Sequence, residues 1–264
     1  MPRDLRLSAI NIYPIKSLAG IALDSARVHT RGLQYDRRFA LVGEDGQVFT
    51  QRDNPVLATL KTRVNDDGIS IFSPFSSVFI KTPVEAPKRT SIYIWYNDTE
   101  AADCGDEVAE WFSKLADTPV RLLYFDSATS RKANHHAPED EVSFADQYPL
   151  MVATEATLAD LNGRLQSQVP MNRFRPNVVV SGAEALEEDR WTSVRIGSVR
   201  FRGVGNCKRC EVTTIDQERG VRTGSEPLRT LASYRTIDRG AVFGRFLVPE
   251  EEGEIRVGDA VVVG

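Results

Sequence analysis

Through its first hundred residues this chain alternates apolar or β-branched residues with polar ones and breaks the runs at Asp-Gly pairs. Strands of period two joined by tight turns satisfy that pattern, and helices do not. Asp45-Gly46 joins residues 38–42 to 47–51, and Asp67-Gly68 joins 60–65 to 69–72. Residues 77–81 and 91–96 add further strand-like runs. The segment 106–116 departs from this rhythm, since Val108, Trp111, Phe112 and Leu115 recur at helical spacing and give one apolar face. From 126 to 146 the chain turns polar and carries the pair His135-His136 and Pro138, so it reads as a long connection, a linker or a lid. Beyond it Thr154 can cap a helix over Leu158, Leu161 and Leu165. Residues 177–181, 194–196, 199–202 and 211–215 read as strands, and 226–234 as a short helix with Leu228 and Leu231 inward. The stretch 255–263 reads as a hairpin strand returning to finish a sheet. The fold class is α+β, predominantly β, of barrel or sandwich type.

A chain of 264 residues can bury a substantial core as one large domain or two modest ones. Its 33 basic and 37 acidic residues leave a net charge of -4, which argues against a whole-surface nucleic-acid or membrane binder. Basic clusters must therefore be local. Three cysteines, Cys104, Cys207 and Cys210, are too few for a secreted disulfide framework and fit a reducing compartment, the cytoplasm by default. The sequence has no apolar run of the kind that signal peptides or membrane spans require, so neither is expected. Nor does it contain a G-x-G-x-x-G or P-loop sequence, and a Rossmann nucleotide site is not expected.

Two of the three cysteines lie with two cations in Cys207-Lys208-Arg209-Cys210. A thiolate flanked by Lys and Arg should have a lowered pKa and be partly ionised near neutrality, which makes it a ligand or nucleophile candidate. The spacing alone also allows a buried structural pair, a redox dithiol, or a zinc site completed by Cys104 and one of His29, His135 or His136. A thioredoxin-like dithiol wants a strand-to-helix junction, whereas 211–215 reads as a continuing strand, and no spacing favours zinc. No G-x-S-x-G elbow supports a hydrolase. Three more stretches place cations beside turn or hydroxyl residues: Tyr13-Pro14-Ile15-Lys16-Ser17, Tyr35-Asp36-Arg37-Arg38 and Asn172-Arg173-Phe174-Arg175-Pro176-Asn177. A phosphate would want that combination, because Arg offers a planar fork of donors, Lys a point charge, and Ser or backbone N–H groups the remaining hydrogen bonds. Taken singly, each stretch reads as solvated charge, and an Asp36–Arg surface pair would contribute only about 0–1 kcal/mol.

In combination, YPIKSLAG, GLQYDRRFALV, DLNGRL, NRFRPNVVVSG, EDRW, RIGSVRF, NCKRCEVTTID, EPLRTLASYR and IRVGD resemble the MOSC family, named for the C-terminal domain of molybdenum cofactor sulfurase. The resemblance runs from about Leu7 to Val263 and is strongest to the branch containing the mitochondrial amidoxime-reducing component and its bacterial relatives. It implies a MOSC β-barrel with a β-rich N-terminal domain and a few peripheral helices, divided here as 1–124 and 125–264. It also implies a molybdenum–molybdopterin cofactor, with Cys210 completing the sulfur ligation of the metal and Cys207 a neighbour. Soft thiolates suit a polarisable redox metal. Carried over residue by residue, Lys16, Ser17, Arg37, Arg175, Asn177 and Arg209 become cofactor contacts, and Asp146 a carboxylate near the metal that relays protons. The chain departs from the family pattern at Lys208, where a small residue is common, and at Tyr148, where a small hydroxyl residue would contact the cofactor. The implied activity is reduction of N-hydroxylated or other N–O or S–O compounds by a monomer. Its electrons would come from a separate ferredoxin, flavoprotein or haem protein, because no run of four cysteines for an iron–sulfur cluster follows Cys210. A sulfur carrier holding a persulfide, or a carrier of molybdenum cofactor, is the alternative from another functional class.

Overall fold

The computed structural model describes residues 4–84, 87–95, 97–133 and 139–264, so Tyr96, His135, His136 and Pro138 lie outside the described residues. Its largest sheet has nine strands and draws on both ends of the chain. The order is Ile21–Leu23, Arg6–Ile12, Val178–Ser181, Leu150–Thr154, Gly240–Pro249, Val199–Lys208, Ser193–Ile196 and Val261–Val263, with Thr236–Ile237 paired to Gly240–Pro249 off this path. Leu150–Thr154 and Val178–Ser181 run parallel, and their near-continuous apolar sequence is what a strand covered on both faces requires. Their crossover contains α1 of the second half, Glu155–Asn162, whose Thr154 cap accepts a hydrogen bond from the Thr157 N–H at 3.1 Å. Every other pairing in the path is antiparallel.

Strands from before residue 125 also form a five-stranded sheet, Arg89–Ile94, Asn97–Asp103, Val120–Tyr124, Phe39–Gly43 and Val48–Phe49. The helix Asp106–Ala116 covers it, burying Val108 and Phe112 while Trp111 and Leu115 stay partly buried. Two further contacts tie the halves together. Arg6–Ile12 pairs with Val178–Ser181, and Ser25–His29 pairs with Gly253–Arg256.

Val199–Lys208 is longer than the expected 199–202, and its register against Gly240–Pro249 shifts twice, between Gly203 and Gly205 and between Asn206 and Lys208. Such bulges bend a strand and re-aim its side chains, here just where it delivers Cys207. Gly203 is obligatory, because a Cβ there would meet the Trp191 carbonyl oxygen at 1.9 Å.

Four sequence expectations need correcting. Residues 211–215 do not continue as a strand: Glu211–Thr214 is a short 3-10 turn, and only Ile215–Asp216 pairs, with Val221–Arg222. The Thr213 and Thr214 hydroxyls donate to the carbonyls of Cys210 and Glu211, three residues back, at 3.0 and 2.7 Å, and hold the chain in the turn. The stretch 255–263 is not one hairpin strand, because Gly253–Arg256 and Val261–Val263 reach edges of different sheets. The described part of the 126–146 connection is packed rather than a free linker, with Arg131, Val142 and Phe144 buried and Phe144 set edge-on to Phe125. Strands Asn97–Asp103, Val120–Tyr124 and Gly240–Pro249 were not foreseen.

Thr154→Ala removes both the cap and a hydroxyl bonded to the buried Glu188 carboxylate at 3.1 Å. The expected cost is about 1–2 kcal/mol, read as a lower urea midpoint at unchanged slope.

Candidate cofactor and active site

The segment 13–18 cannot follow a regular strand, because its backbone is stitched across to 36–39. The Lys16 N–H donates to the Phe39 carbonyl at 2.8 Å, the Arg37 N–H to the Tyr13 carbonyl at 2.9 Å, and the Tyr13 N–H to the Asp36 carboxylate at 2.8 Å. The Phe144 N–H in turn donates to the Arg37 carbonyl at 2.9 Å, which draws the 143–146 loop onto the same place. Nine non-glycine residues among those described have positive φ, and Ser17 (73°), Arg37 (47°) and Arg175 (54°) are three of them. Residues held in this sparsely allowed region cluster where surrounding structure over-determines them, as active sites do.

Tyr13 is the hub of one cluster. The Arg37 and Arg175 guanidiniums each lie 4.2 Å from its ring centroid, and its hydroxyl donates to the Pro176 carbonyl at 3.2 Å. Arg37 is held by Asp36 at 2.7 and 2.9 Å and by the Asn177 side-chain oxygen at 3.1 Å. Arg175 reaches the Gln217 side-chain oxygen at 3.1 Å and, among the described residues, has no carboxylate partner. Burial pushes it down to about 10, with the Arg37 charge adding to the push against support from Tyr13, Asp36 and Asp146.

Lys16 anchors a second cluster. Its buried Nζ donates to the Phe144 carbonyl at 2.9 Å and to the Asp146 carboxylate. Burial lowers the Lys16 pKa from its ordinary value, and Asp146 opposes that. The side chain of Asp146 is 55% exposed. Protein crowded around it would raise its pKa, but the Lys16 charge and hydrogen bond, a Trp95 hydrogen bond and Arg37 hold it well below the usual carboxylate range. Arg131 fixes the loop that presents this carboxylate, donating to the Ser143 and Asp146 carbonyls at 2.8 Å each and to the Ala145 carbonyl.

The thiols form the third cluster. Cys207 is buried and its sulfur accepts from the Arg209 guanidinium at 2.8 Å, while Cys210 is exposed. Arg209 also donates to the Phe174 carbonyl at 2.8 Å, and its Nε is buried without a hydrogen-bond partner. The lowered pKa expected of the flanked thiols is not what Cys207 shows: burial raises it, and Arg209 only partly offsets this. Cys104 is in the other half, packed against the helix cluster of Phe112, so it cannot complete a metal set with this pair. No group of three or more His, Cys, Asp or Glu suited to a metal ion occurs among the described residues.

The three clusters form one electrostatic neighbourhood. Tyr13 feels the charges of Arg175, Arg37 and Arg209, Lys16 those of Arg131 and Arg37, and Cys207 that of Asp146. Among the described residues, Lys16, Arg37, Arg131, Arg175 and Arg209 face two carboxylates there, Asp36 and Asp146. An excess of cations next to an orphaned guanidinium nitrogen is an incomplete arrangement, and an anionic group would complete it. A cavity of about 600 Å³ reaches Tyr13, Asn172 and Pro176. Another, of about 900 Å³, is bounded by Ile12, Ile21 and Leu23 and is lined by neither thiol and by none of these cations.

Residues 4–119 match the MOSC N-terminal beta barrel domain and residues 139–262 match the MOSC domain. The chain is 32% identical to human mitochondrial amidoxime-reducing component 1, over 95% of this chain and 80% of that protein. It is 36% identical to mitochondrial amidoxime reducing component 2 of Rattus norvegicus and 35% to that of Bos taurus, in each case over 97% of this chain and 82% of the relative. This chain belongs to the MOSC family.

Within this MOSC-family chain, the structure brings Lys16, Arg37, Arg175, Arg209, Asp146 and the two thiols into one neighbourhood. Ser17 is partly buried there, its carbonyl accepting from Gln51 Nε2 at 2.6 Å and its hydroxyl without a hydrogen bond among the described residues. Asn177 is buried: its side-chain oxygen accepts from Arg37 and from the Met151 N–H at 3.2 Å, and its amide donates to the Asn11 carbonyl at 3.2 Å. It holds Arg37 in place. Tyr148 packs against Phe246, ring centroids 5.0 Å apart, rather than standing free beside a cofactor. Sequence reasoning missed Arg131, Trp95 and Gln217, because a cation in a polar connection, an aromatic after a strand and a glutamine in a turn carry no pattern of their own.

Two outcomes follow from this geometry. Iodoacetamide at neutral pH should label exposed Cys210 at least about tenfold faster than buried Cys207, by peptide mass spectrometry, and urea should abolish the difference. Asp146→Asn should destabilise by about 1–2 kcal/mol at pH 7, a buried-pair value reduced for the solvent on Asp146. The folded pKa of Asp146 lies below its unfolded value. The ion pair's contribution is therefore complete above that unfolded value and shrinks as pH falls below about 4, which urea midpoints across pH will show.

Proposed function

We propose that this chain is a molybdenum-cofactor-dependent reductase of N-hydroxylated compounds that takes electrons from a separate donor protein. The observation that carries the proposal is the cationic excess around Tyr13 and Arg209, contributed by both halves of the chain and set beside one exposed and one buried thiol. The MOSC relatives named as amidoxime-reducing components supply the substrate class. The residues fit a phosphorylated, sulfur-bearing cofactor: Arg175, Arg37, Lys16, Arg209 and the Ser17 hydroxyl provide donors for an anion, and Cys210 an accessible soft ligand for the metal. Bound there, the cofactor would supply the two-electron transfer.

Reducing an N–OH group to N–H consumes two electrons and two protons and releases water, so the protein must deliver protons as well as orient the substrate. The Asp146 carboxylate is exposed and backed by Lys16, an ammonium whose pKa burial has lowered. A proton passing from Lys16 Nζ through the Asp146 carboxylate to the departing oxygen uses groups already hydrogen-bonded to each other. Among the described residues Nζ donates to Phe144 and Asp146, which leaves one of its three hydrogens for the cofactor's anion. Arg131 keeps the carboxylate in position, and half-buried Arg209 keeps Cys207 in place beside Cys210. We place the protein in the cytoplasm, a setting that its three free cysteines suit. No helix among the described residues is long and apolar enough to cross a membrane.

Metal and pterin analysis of the protein from its own source should find about one molybdenum and one pterin per chain. Cys210→Ser should lose the molybdenum while Cys207→Ser keeps most of it, and Arg175→Ala should lower pterin occupancy. Reduction of an amidoxime with an artificial electron donor should accompany full loading, and a fully loaded protein without turnover sinks the reductase reading. Mass spectrometry finding a persulfide on Cys210 in protein devoid of pterin would instead make it a sulfur carrier.

A further inference from the structure

Three sheets meet around the cavity of about 900 Å³. Ile21–Leu23 ends the nine-stranded sheet, Lys61–Asn65 ends the sheet it forms with Gly68–Phe72 and Ser77–Lys81, and Ser25–His29 lies beside Gly253–Arg256. The lining is graded. Ile12 and Ala26 are buried, Ile21, Leu23 and Val64 are partly buried, and Arg27, Tyr35 and Arg63 are exposed, which gives an apolar floor and a cationic rim. Tyr35 has a φ of 68°, in the left-handed region where a bulky residue is an outlier. The Gln34 N–H to Arg27 carbonyl bond at 2.8 Å and the Asp36 N–H to Leu33 carbonyl bond at 3.0 Å close the turn that holds it there. Strain of this kind clusters at ligand sites.

The polar side chains of the cavity are unspent. Ser25, Arg27, Gln34, Tyr35, Thr62 and Arg63 line it, and among the described residues none of these side chains makes a hydrogen bond or an ion pair. Arg63 has a ring contact alone, its guanidinium 5.5 Å from the Phe72 centroid. The Thr62 hydroxyl is buried as well as unpartnered, which costs stability unless something completes it. Glu254 supplies a carboxylate to the wall and faces Arg27 across the strand pair, but it is bonded to Arg256 at 2.8 Å. Two guanidiniums at the rim of an apolar hollow are thus left without an anion.

We propose that this cavity binds a small amphipathic carboxylate, its apolar body over Ile12, Ile21, Leu23 and Val64 and its carboxylate against Arg27 and Arg63. Small ligands occupy cavities of about 300–1,000 Å³ in which apolar lining is joined by a few placed polar groups. Each guanidinium offers a planar fork that matches two carboxylate oxygens, and burying the apolar body supplies the remaining affinity. The site is separate from the cationic neighbourhood of Lys16 and Arg175, and the proposal does not depend on the reductase reading.

The test is calorimetric titration of the cofactor-bearing protein with octanoate and with octanol, which has the same chain and no charge. Octanoate should bind once per chain and at least about tenfold more tightly than octanol, the factor expected for one charge-assisted hydrogen bond. Replacing Arg27 and Arg63 together by Gln should weaken octanoate about tenfold or more, keep octanol within about twofold and leave the urea midpoint in place. Raising the salt concentration should weaken octanoate alone. Arg175→Ala should leave octanoate binding as it is. Equal affinity for the two probes, or no effect of the double Gln variant, would show that the hollow only adsorbs apolar chains and would overturn the proposal. Octanoate binding lost in Arg175→Ala but kept in the double Gln variant would put the anion in the cofactor neighbourhood and overturn it as well. So would the absence of octanoate binding to the wild type at millimolar concentration.

Discussion

The pairing of Arg6–Ile12 with Val178–Ser181 is the contact on which the rest of this molecule depends. It joins residues more than one hundred and sixty positions apart and makes the first strand a member of the second half's sheet. The chain leaving this strand at Tyr13 then emerges beside the chain entering its partner at Arg175, so two guanidiniums and a lysine from distant segments converge. The Asn11 N–H to Asn177 carbonyl bond, at 2.7 Å, ties the two exits directly. Closing so long a loop is entropically costly, and the apolar cluster of Leu7, Ile10, Val178 and Val180 offsets that cost.

Once the strands are paired, the site is governed by a shortage of negative charge. Among the described residues two carboxylates serve five cations, and each is committed: Asp36 to Arg37 and the Tyr13 N–H, Asp146 to Lys16. Arg175 is left with a glutamine and an aromatic ring, and Arg131 with carbonyl oxygens. Burying cations without full compensation costs stability, and the arrangement is understandable where a ligand brings the missing charge. The two thiols show the same division between structure and function. Cys207 is fixed under Arg209, whereas Cys210 sits exposed at the start of the turn that Thr213 and Thr214 hold.

Much of the fold could be read from local pattern. The helix Asp106–Ala116, the strand Ser77–Lys81 and the Thr154 cap fall where periodicity and capping chemistry put them. The misreadings share a cause, which is that long-range partners outweighed local preference. Asn97–Asp103, with its polar NDTEAAD sequence, is a strand because Arg89–Ile94 pairs with residues 97–102 and Val120–Tyr124 with its end. Glu211–Thr214 has β-branched residues yet turns, because two threonine hydroxyls bond backward to carbonyls. In the site, the cation-bearing stretches and the cysteine pair were legible as residue types and in their family resemblance. Arg131 was not, since it owes its place to a loop closing onto Asp146.

What the sequence determined by itself is the set of parts: a β-rich chain, a family, cations in short turn-bearing stretches and two thiols three positions apart. Tertiary structure alone decided their inequality. Burial pushes the Cys207 thiol up and leaves Cys210 in solvent, Asn177 holds Arg37, and Asp146 is paired with Lys16. The reason is physical. Residue type fixes what charge or ligand a side chain can offer, but desolvation and hydrogen-bond partners depend on neighbours that arrive from more than a hundred residues away, and only the folded chain assigns them.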